Sequence, residues 1–334
     1  MAPRLSGFTR ASSLGPIADF MGRQGGSIQR VLKDVDLPLG LLEHPDALVP
    51  LREQFRLLER SARETGDEFF GARLGQVVRS RDLSHFGAWV CSAPTLSGAI
   101  SRARAGINRM LQTSTVLTLV HQGQIARWYI EFVEPQSEGR HHNELLGVSY
   151  LIDTVREYAG ATWHPLAVFT ALPSGSPRAA LEDIFRCEVF HGHPVPGIAF
   201  DARLLRSARA AAEERPGSGA APEPGVPGQQ DAIASVAAIT DLALHEGLPR
   251  VDWVATKLGM TRRSLQRLLT MHGTSFNRLA EEALMRRAIQ RLGDDDAAIT
   301  AIALELGYAD PAHFTRAFRR WTGMPPSVYR HRLA

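Results

Sequence analysis

The chain has 334 residues, of which 44% are apolar and 22% charged, with a formal net charge of +3; this is length for two or three domains, and the composition excludes wholesale disorder. Its two cysteines, Cys91 and Cys187, have no CxxC spacing, which excludes a disulfide scaffold or a zinc finger and fits a reducing cytoplasm. No apolar run approaches the roughly 18–20 residues of a membrane span.

In chain order, Met1 to Gly15 lacks the apolar segment of a secretory signal and reads as a frayed tail. Ile17 to Val35 reads as helical with an interruption at Gly25-Gly26, and Leu51 to Thr65 as an amphipathic helix with Phe55, Leu57, Leu58 and Ala62 on one side. Pro94 precedes a helix over 95–108. Thr115 to Val120 and Ile125 to Val133 are β-rich around Gly123, a hairpin pattern. A helix over 144–159, a buried strand over 166–172 ended by Pro173, a short helix over 178–185 and extended pieces over 188–200 follow. Helices and strands alternate, so residues 1–206 are expected to form an α/β or α+β domain. Residues 207–230 are rich in Pro and Gly and have no apolar periodicity; they read as a flexible linker with nothing to anchor to a core. The pattern over 231–334 is all helical, with helices near 231–246, 251–258, 262–271, 275–292, 300–306, 311–321 and 326–332.

This last region contains a repeat. Val254-Ala255-x-x-Leu258-Gly259-Met260 returns 48 residues later as Ile302-Ala303-x-x-Leu306-Gly307-Tyr308, and Leu265-Gln266-Arg267-x-Leu269 returns 49 residues later as Phe314-Thr315-Arg316-x-Phe318. Each copy is a short helix, a turn at Gly and a second helix, the helix-turn-helix pattern. Ala255 and Ala303 fall where the two helices cross. Gly259 and Gly307 fall just past a helix end, where positive φ is needed. Thr261 and Asp310 stand at N-cap positions. At 100° per residue, Leu265, Leu268 and Leu269 face one way in the first copy. Arg263, Gln266, Arg267 and Thr270 face the other, with Arg262 at the helix start and Ser264 on the flank. In the second copy Phe314, Ala317, Phe318 and Trp321 face inward; Ala312, Thr315, Arg316, Arg319 and Arg320 face outward, with His313 on the flank. A face of Arg and small polar residues suits a major groove. From Val251 to the end, 13 Lys and Arg stand against 8 Asp and Glu. Almost all the basic residues are Arg, a bias for which genome composition accounts in most part.

On these residues, Asp231 to Leu333 resembles the DNA-binding domain of the AraC/XylS family of bacterial regulators. The second unit from Ile302 to Arg320 carries the family signature, continued by Gly323-Met324-Pro325-Pro326-Ser327-Val328-Tyr329-Arg330. Pro325 stands where the family usually has Thr or Ser. Pro311 and Ala312 replace polar residues, which weakens the case for direct base reading there. The resemblance implies two helix-turn-helix units joined by a long helix, with both recognition helices in successive major grooves of double-stranded DNA. The N-terminal domain is similar to the effector domain of ornithine-utilisation and virulence regulators, through Leu37–Pro50, Gly66-Asp67-x-Phe69-Phe70-Gly71, Ser92-Ala93-Pro94-Thr95-Leu96 and the stretch from Phe185 to Phe200. It is often labelled arabinose-binding, although nothing in these residues marks a sugar site.

The expectation is therefore a cytoplasmic, homodimeric transcription regulator, not an enzyme and without cofactor, that works with RNA polymerase and answers to a small-molecule effector whose site no residue reveals. Two alternatives keep the DNA-binding module: an enzymatic or DNA-repair N-terminal domain using Cys91 or Cys187, or an N-terminal domain that only oligomerises. His141-His142 and His191-Gly192-His193 could suggest a metal site, but no acidic or cysteine partner stands at a ligand spacing, so no metal is expected. No P-loop or nucleophile elbow is present. Asp294-Asp295-Asp296 reads as a solvated loop and helix start.

Overall fold

The computed structural model describes residues 5–209, 225–228, 230–293 and 297–333. Most of the expected linker and the acidic run at 294–296 lie outside the described residues. The described residues fall into two compact units, those within 6–37 and 42–229 and those within 1–5, 38–41 and 230–334.

The first unit opens with β1 (Phe8–Arg10) and continues through α1 (Ile17–Arg23), α2 (Ile28–Asp34), β2 (Leu48–Pro50), α3 (Leu51–Thr65), α4 (Phe70–Leu74), α5 (Ser84–Cys91) and α6 (Leu96–Gly106). A π-helical turn over Ile107–Leu111 follows α6 directly. Next come β3 (Thr115–Gln122), β4 (Ile125–Phe132), α7 (Arg140–Ala159), β5 (Ala167–Phe169), α8 (Arg178–Phe185), β6 (Glu188–Phe190) and β7 (Gly197–Asp201). The five-stranded sheet has the order β3-β4-β7-β5-β6; only β5 and β6 run parallel, and Leu119 faces Trp128 across the β3–β4 hairpin. Trp128, Ile130 and Phe132 of β4 share one core with Val148, Leu151, Ile152 and Val155 of α7.

The expected frayed tail is corrected. β1 pairs antiparallel with β2, Thr9 opposite Val49, and Phe8 is buried. The Gly7 N–H donates to Glu134 Oε1 at 2.6 Å and the Phe8 N–H to Thr113 Oγ1 at 2.8 Å. Three residues are too few to show a period, and the groups that hold them lie far off in the chain, on β2 and at Thr113 and Glu134. The helix expected from 144 begins at Arg140, whose guanidinium donates to Glu144 Oε1 at 2.8 Å and to the Phe132 carbonyl at 2.7 Å. Its first turn is polar, with Arg140 and His141 half-buried and His142 and Asn143 buried, which apolar periodicity does not detect. The expectation that nothing in 207–230 anchors to a core is also corrected. The Leu96 N–H donates to the Ser207 carbonyl at 3.2 Å, and Val226 is buried with its N–H on the Arg109 carbonyl at 3.1 Å.

The second unit is helical: α9 (Ala232–Ala243), α10 (Val251–Lys257), α11 (Arg262–Met271), α12 (Phe276–Leu292), α13 (Ile299–Glu305), α14 (Pro311–Thr322) and α15 (Pro326–Leu333). Leu279, Ala283, Leu284, Ala288 and Leu292 of α12 are buried, so one helix serves both halves of the unit. In the second half, Phe318 meets Phe314, Trp321 and Tyr329 with ring centroids 5.8, 6.4 and 5.4 Å apart.

Candidate nucleic-acid interface

The two halves of the repeat fold alike at the level of single hydrogen bonds. After α10 the Met260 N–H donates to the Ala255 carbonyl and the Gly259 N–H to the Thr256 carbonyl, both at 2.9 Å. After α13 the Tyr308 N–H donates to the Ala303 carbonyl and the Gly307 N–H to the Leu304 carbonyl, again both at 2.9 Å. These are paired Schellman closures. They require a left-handed residue at the same point, and Gly259 and Gly307 take φ +69° and +84°. Each turn then delivers a cap. Thr261 Oγ1 accepts the Ser264 N–H at 3.1 Å and Asp310 Oδ1 the Ala312 N–H at 2.8 Å. Ala255 and Ala303 are buried at the crossings.

Leu265 and Leu269 of α11 are buried, Leu268 is half-buried, and Arg262, Arg263, Gln266, Arg267 and Thr270 are exposed. Ser264 is half-buried and its hydroxyl accepts from Thr261 at 2.9 Å. On α14, Phe314, Ala317 and Phe318 are buried; Ala312, His313, Arg316, Arg319 and Arg320 are exposed and Thr315 is half-buried. The Thr270 and Thr315 hydroxyls donate to the carbonyls of Gln266 and Pro311 four residues earlier, both at 3.0 Å. Arg263, Arg267, Arg316 and Arg319 make no side-chain hydrogen bond or ion pair among the described residues. Two arginines of the same faces are already engaged. Arg262 pairs with Asp252 at 3.3 Å, and Arg320 reaches across to Glu281 of α12 at 2.5 Å. Sequence periodicity shows neither carboxylate partner, because each lies on another helix. The frame between the halves is stiffened by ion pairs of α12: Arg286 with Asp241 of α9 at 3.0 Å and Arg291 with Glu305 of α13 at 2.9 Å.

Chemically, each exposed face offers multi-donor cations on a capped helix, with apolar residues sealed behind it. Guanidinium groups in that setting can reach phosphate oxygens or the O6/N7 edge of guanine.

The two histidine pairs behave differently. His191 Nδ1 lies 2.8 Å from Thr170 Oγ1, and His193 Nδ1 lies 2.6 Å from the Val195 carbonyl, so these two do not converge. Glu59 of α3, some eighty positions upstream, joins His141 and His142 with ligand atoms all within 4.8 Å of one another. Burial pushes the His142 imidazole down to about 3. This trio is a donor set that fits a borderline divalent ion but has no fourth protein ligand among the described residues. Cys91 and Cys187 are both pushed up to about 12, chiefly by burial, and their thiols are protonated at neutral pH.

Two family models match the chain. The arabinose-binding domain of AraC transcription regulators, N-terminal, matches residues 25–208, and a helix-turn-helix domain matches 254–332. The chain belongs to the AraC family of transcription regulators. Among its AraC-type relatives, the HTH-type transcriptional regulator VirS of Mycobacterium tuberculosis is 26% identical over 342 residues, covering 98% of this chain and 97% of that protein. The ornithine utilization regulator of Pseudomonas aeruginosa is 38% identical over 89 residues, 27% of this chain and 26% of the relative. Among solved structures, the transcriptional regulator CdpR of Pseudomonas aeruginosa aligns over 78% of this chain and 86% of its own, at 20% identity and a TM-score of 0.32. Membership in the AraC family makes the chain a DNA-binding transcription regulator with a mixed α/β N-terminal domain and a helical, helix-turn-helix C-terminal region. Among the described residues, no helix is long and apolar enough to cross a membrane.

Proposed function

We propose that α11 and α14 are the two recognition helices of a one-component regulator and that they read successive major grooves of one operator. Arg263, Gln266, Arg267 and Thr270 contact the first groove; Ala312, His313, Thr315, Arg316 and Arg319 contact the second. Arg262, Ser264 and Arg320 hold these faces in place and touch phosphates at their margins. The observation that carries this reading is the matched pair of Schellman turns and N-caps, which present two arginine-bearing faces on α11 and α14. An operator selected from random duplexes and then footprinted tests it. Two protected clusters about 10 base pairs apart for each chain are expected; a single cluster contradicts the reading.

In the same reading, residues 1–206 sense a small molecule and dimerise, 231–334 bind DNA, and 207–230 connect them. The protein works in the cytoplasm, as a homodimer, on RNA polymerase, and is not an enzyme. The state of the thiols favours this over a repair module: a cysteine that accepts an alkyl group acts as the thiolate, and burial opposes that form at both Cys91 and Cys187. Sedimentation of the full chain tests the dimer. Exposure to duplexes carrying O-alkylated guanine tests the repair alternative, in which either cysteine would gain the mass of the alkyl group.

A further inference from the structure

Where α3 meets the first turn of α7, Glu59, His141 and His142 bring one ligand atom each to within 4.8 Å of one another. His142 is 3% exposed, and no ring nitrogen of His141 or His142 has a hydrogen-bond partner among the described residues. His142 Nε2 lies 3.7 Å from Glu59 Oε2, too long for a hydrogen bond. The other oxygen, Glu59 Oε1, accepts from Arg63 Nε at 2.9 Å, which leaves Oε2 to the imidazole.

Buried polar side chains are nearly always paired. A neutral imidazole has one N–H and one lone pair, and His142 satisfies neither. With the proton on Nδ1, the Nε2 lone pair stands against a carboxylate oxygen. A cation between Nε2 and Oε2 removes that conflict, because both atoms then give it an electron pair. A tetrahedral ion with bonds of about 2.0–2.1 Å keeps its ligands roughly 3.3 Å apart, so these two atoms need move little. Two imidazoles with one carboxylate suit Zn2+, Co2+ or Ni2+; Mg2+ and Ca2+ take oxygen ligands. His141 is only half-buried, which lets water take the fourth position, as in open zinc sites.

The main chain that carries these groups is clamped. Gly139, the N-cap of α7, sits at φ +77°, and a Cβ there would lie 1.9 Å from the Phe55 carbonyl oxygen and 2.8 Å from Glu59 Cβ. Only glycine lets α7 begin this close to Glu59. Gly71 of α4 packs on the His142 main chain, where a Cβ would meet the His142 carbonyl oxygen at 2.0 Å. The two imidazole rings themselves lie with centroids 4.0 Å apart. Donors held in place beforehand lose little freedom when an ion binds. The surroundings are acidic as well. Glu68 and Glu144 act on His141 electrostatically, and Glu138 pairs with Arg63 at 2.8 Å. With Glu59 these make four carboxylates against Arg63 and Arg140, the two arginines paired with them.

We propose that Glu59, His141 and His142 bind one divalent ion of the zinc class, with water as the fourth ligand, and that the ion ties α3 to the start of α7. This site does not depend on the domain being a sensor.

The test uses the full chain, stripped of metal with a chelator and titrated with Co2+, whose visible absorption intensifies in four-coordinate sites. One ion per chain is expected, displaced by Zn2+ and unaffected by excess Mg2+ or Ca2+. His141→Ala and Glu59→Gln should each weaken binding by about 100-fold or more, since even the outer partners of a ligand are worth about 10–100-fold. A double variant, His191→Ala with His193→Ala, should bind like the parent; loss of the ion there overturns the site. Zinc-edge X-ray absorption of the parent needs no variant. Its shell should hold two imidazole nitrogens and oxygen at about 2.0–2.1 Å, without sulfur. Zn2+ should also raise the melting temperature of the parent and not that of Glu59→Gln. No saturable binding at millimolar Co2+ would make the contact of His142 with Glu59 purely structural and overturn the site. A sulfur-containing shell, or parent affinity in both His141→Ala and Glu59→Gln, overturns it equally.

Discussion

The Tyr308 N–H donates to the Ala303 carbonyl at 2.9 Å across the turn of the second helix-turn-helix unit. The bond forms only if the intervening Gly307 is left-handed, and a Cβ there would lie 2.8 Å from the Leu248 nitrogen. Both conditions belong to the turn that aims α14. Gly307→Ala should therefore cost about 1–2 kcal/mol of stability from the backbone alone, measured by urea unfolding. Gly293→Ala is the control. Gly293 has ordinary right-handed φ of −71°, and alanine there should be neutral or slightly stabilising. Equal losses at the two positions would show that the turn conformation is not what matters.

The unengaged arginines set a second expectation. Arg267→Ala and Arg316→Ala should each weaken specific operator binding by about 1–3 kcal/mol, the usual worth of a good base contact. Arg320 is already paired with Glu281 across to α12, and an exposed pair is worth roughly 1 kcal/mol or less. Arg320→Ala should lower affinity less, and should lower it on non-specific duplex in proportion. Titrations on specific and non-specific duplexes at several salt concentrations separate these cases. Wild-type affinity in both Arg267→Ala and Arg316→Ala would mean that other faces meet the bases.

The helical region was the more legible half of the chain. Its helices announce themselves by apolar stripes such as Leu265-Leu268-Leu269 and by caps such as Thr261 and Asp310, whose side chains both accept the expected N–H. All of that information is local. The N-terminal unit depends more on distant groups. β1 is held by Thr113 and Glu134, and the Ser80 N–H by Asp153 of α7 at 2.5 Å. No window of sequence contains both partners. Val226 shows the same limit, for a main-chain bond to Arg109 has no signature in a stretch of Pro and Gly. The carboxylates that hold Arg262 and Arg320 and the gathering of Glu59 with two histidines likewise arise only when elements pack.

The thiols give a chemical prediction. With both pushed up to about 12, the thiolate fraction in the folded chain at pH 8 is on the order of 1 in 10,000. The sign is that of an acid whose neutral form is favoured by folding: ionisation begins only as pH approaches 12, whereas an unfolded cysteine ionises near 8.5. Iodoacetamide at pH 8 should leave Cys91 and Cys187 unmodified in the native protein and label both in urea, as read by intact mass. Rapid native labelling of either residue would restore a reactive-cysteine role as a serious alternative.

The last prediction concerns α12 as a ruler. Its 17 residues span about 26 Å at roughly 1.5 Å each; α11 precedes it in the chain, and Phe314 and Phe318 of α14 share a core with its Ala283, Leu284, Ala288 and Leu292. One turn of B-DNA is about 34 Å, so the two faces can meet adjacent major grooves on one side of a duplex provided α12 is straight. The helix has no internal Gly or Pro, and Ala283 at its middle is buried. Ala283→Pro would remove a backbone donor and kink the helix, at a cost of about 3 kcal/mol or more. A folded variant should then keep non-specific affinity and lose most of its specific affinity, because each face still meets phosphates but the two no longer share a register. The DNA offers the converse test. Inserting 5 base pairs between the two protected clusters turns one of them to the opposite side of the duplex, and specific binding to that operator should fall toward the non-specific level. Inserting 10 restores the side but lengthens the gap by about 34 Å, beyond the reach of a fixed connector, so binding should stay low. Recovery with 10 but not 5 would show that the two units are flexibly joined, and full binding to both would rule out docking by a rigid pair of recognition helices.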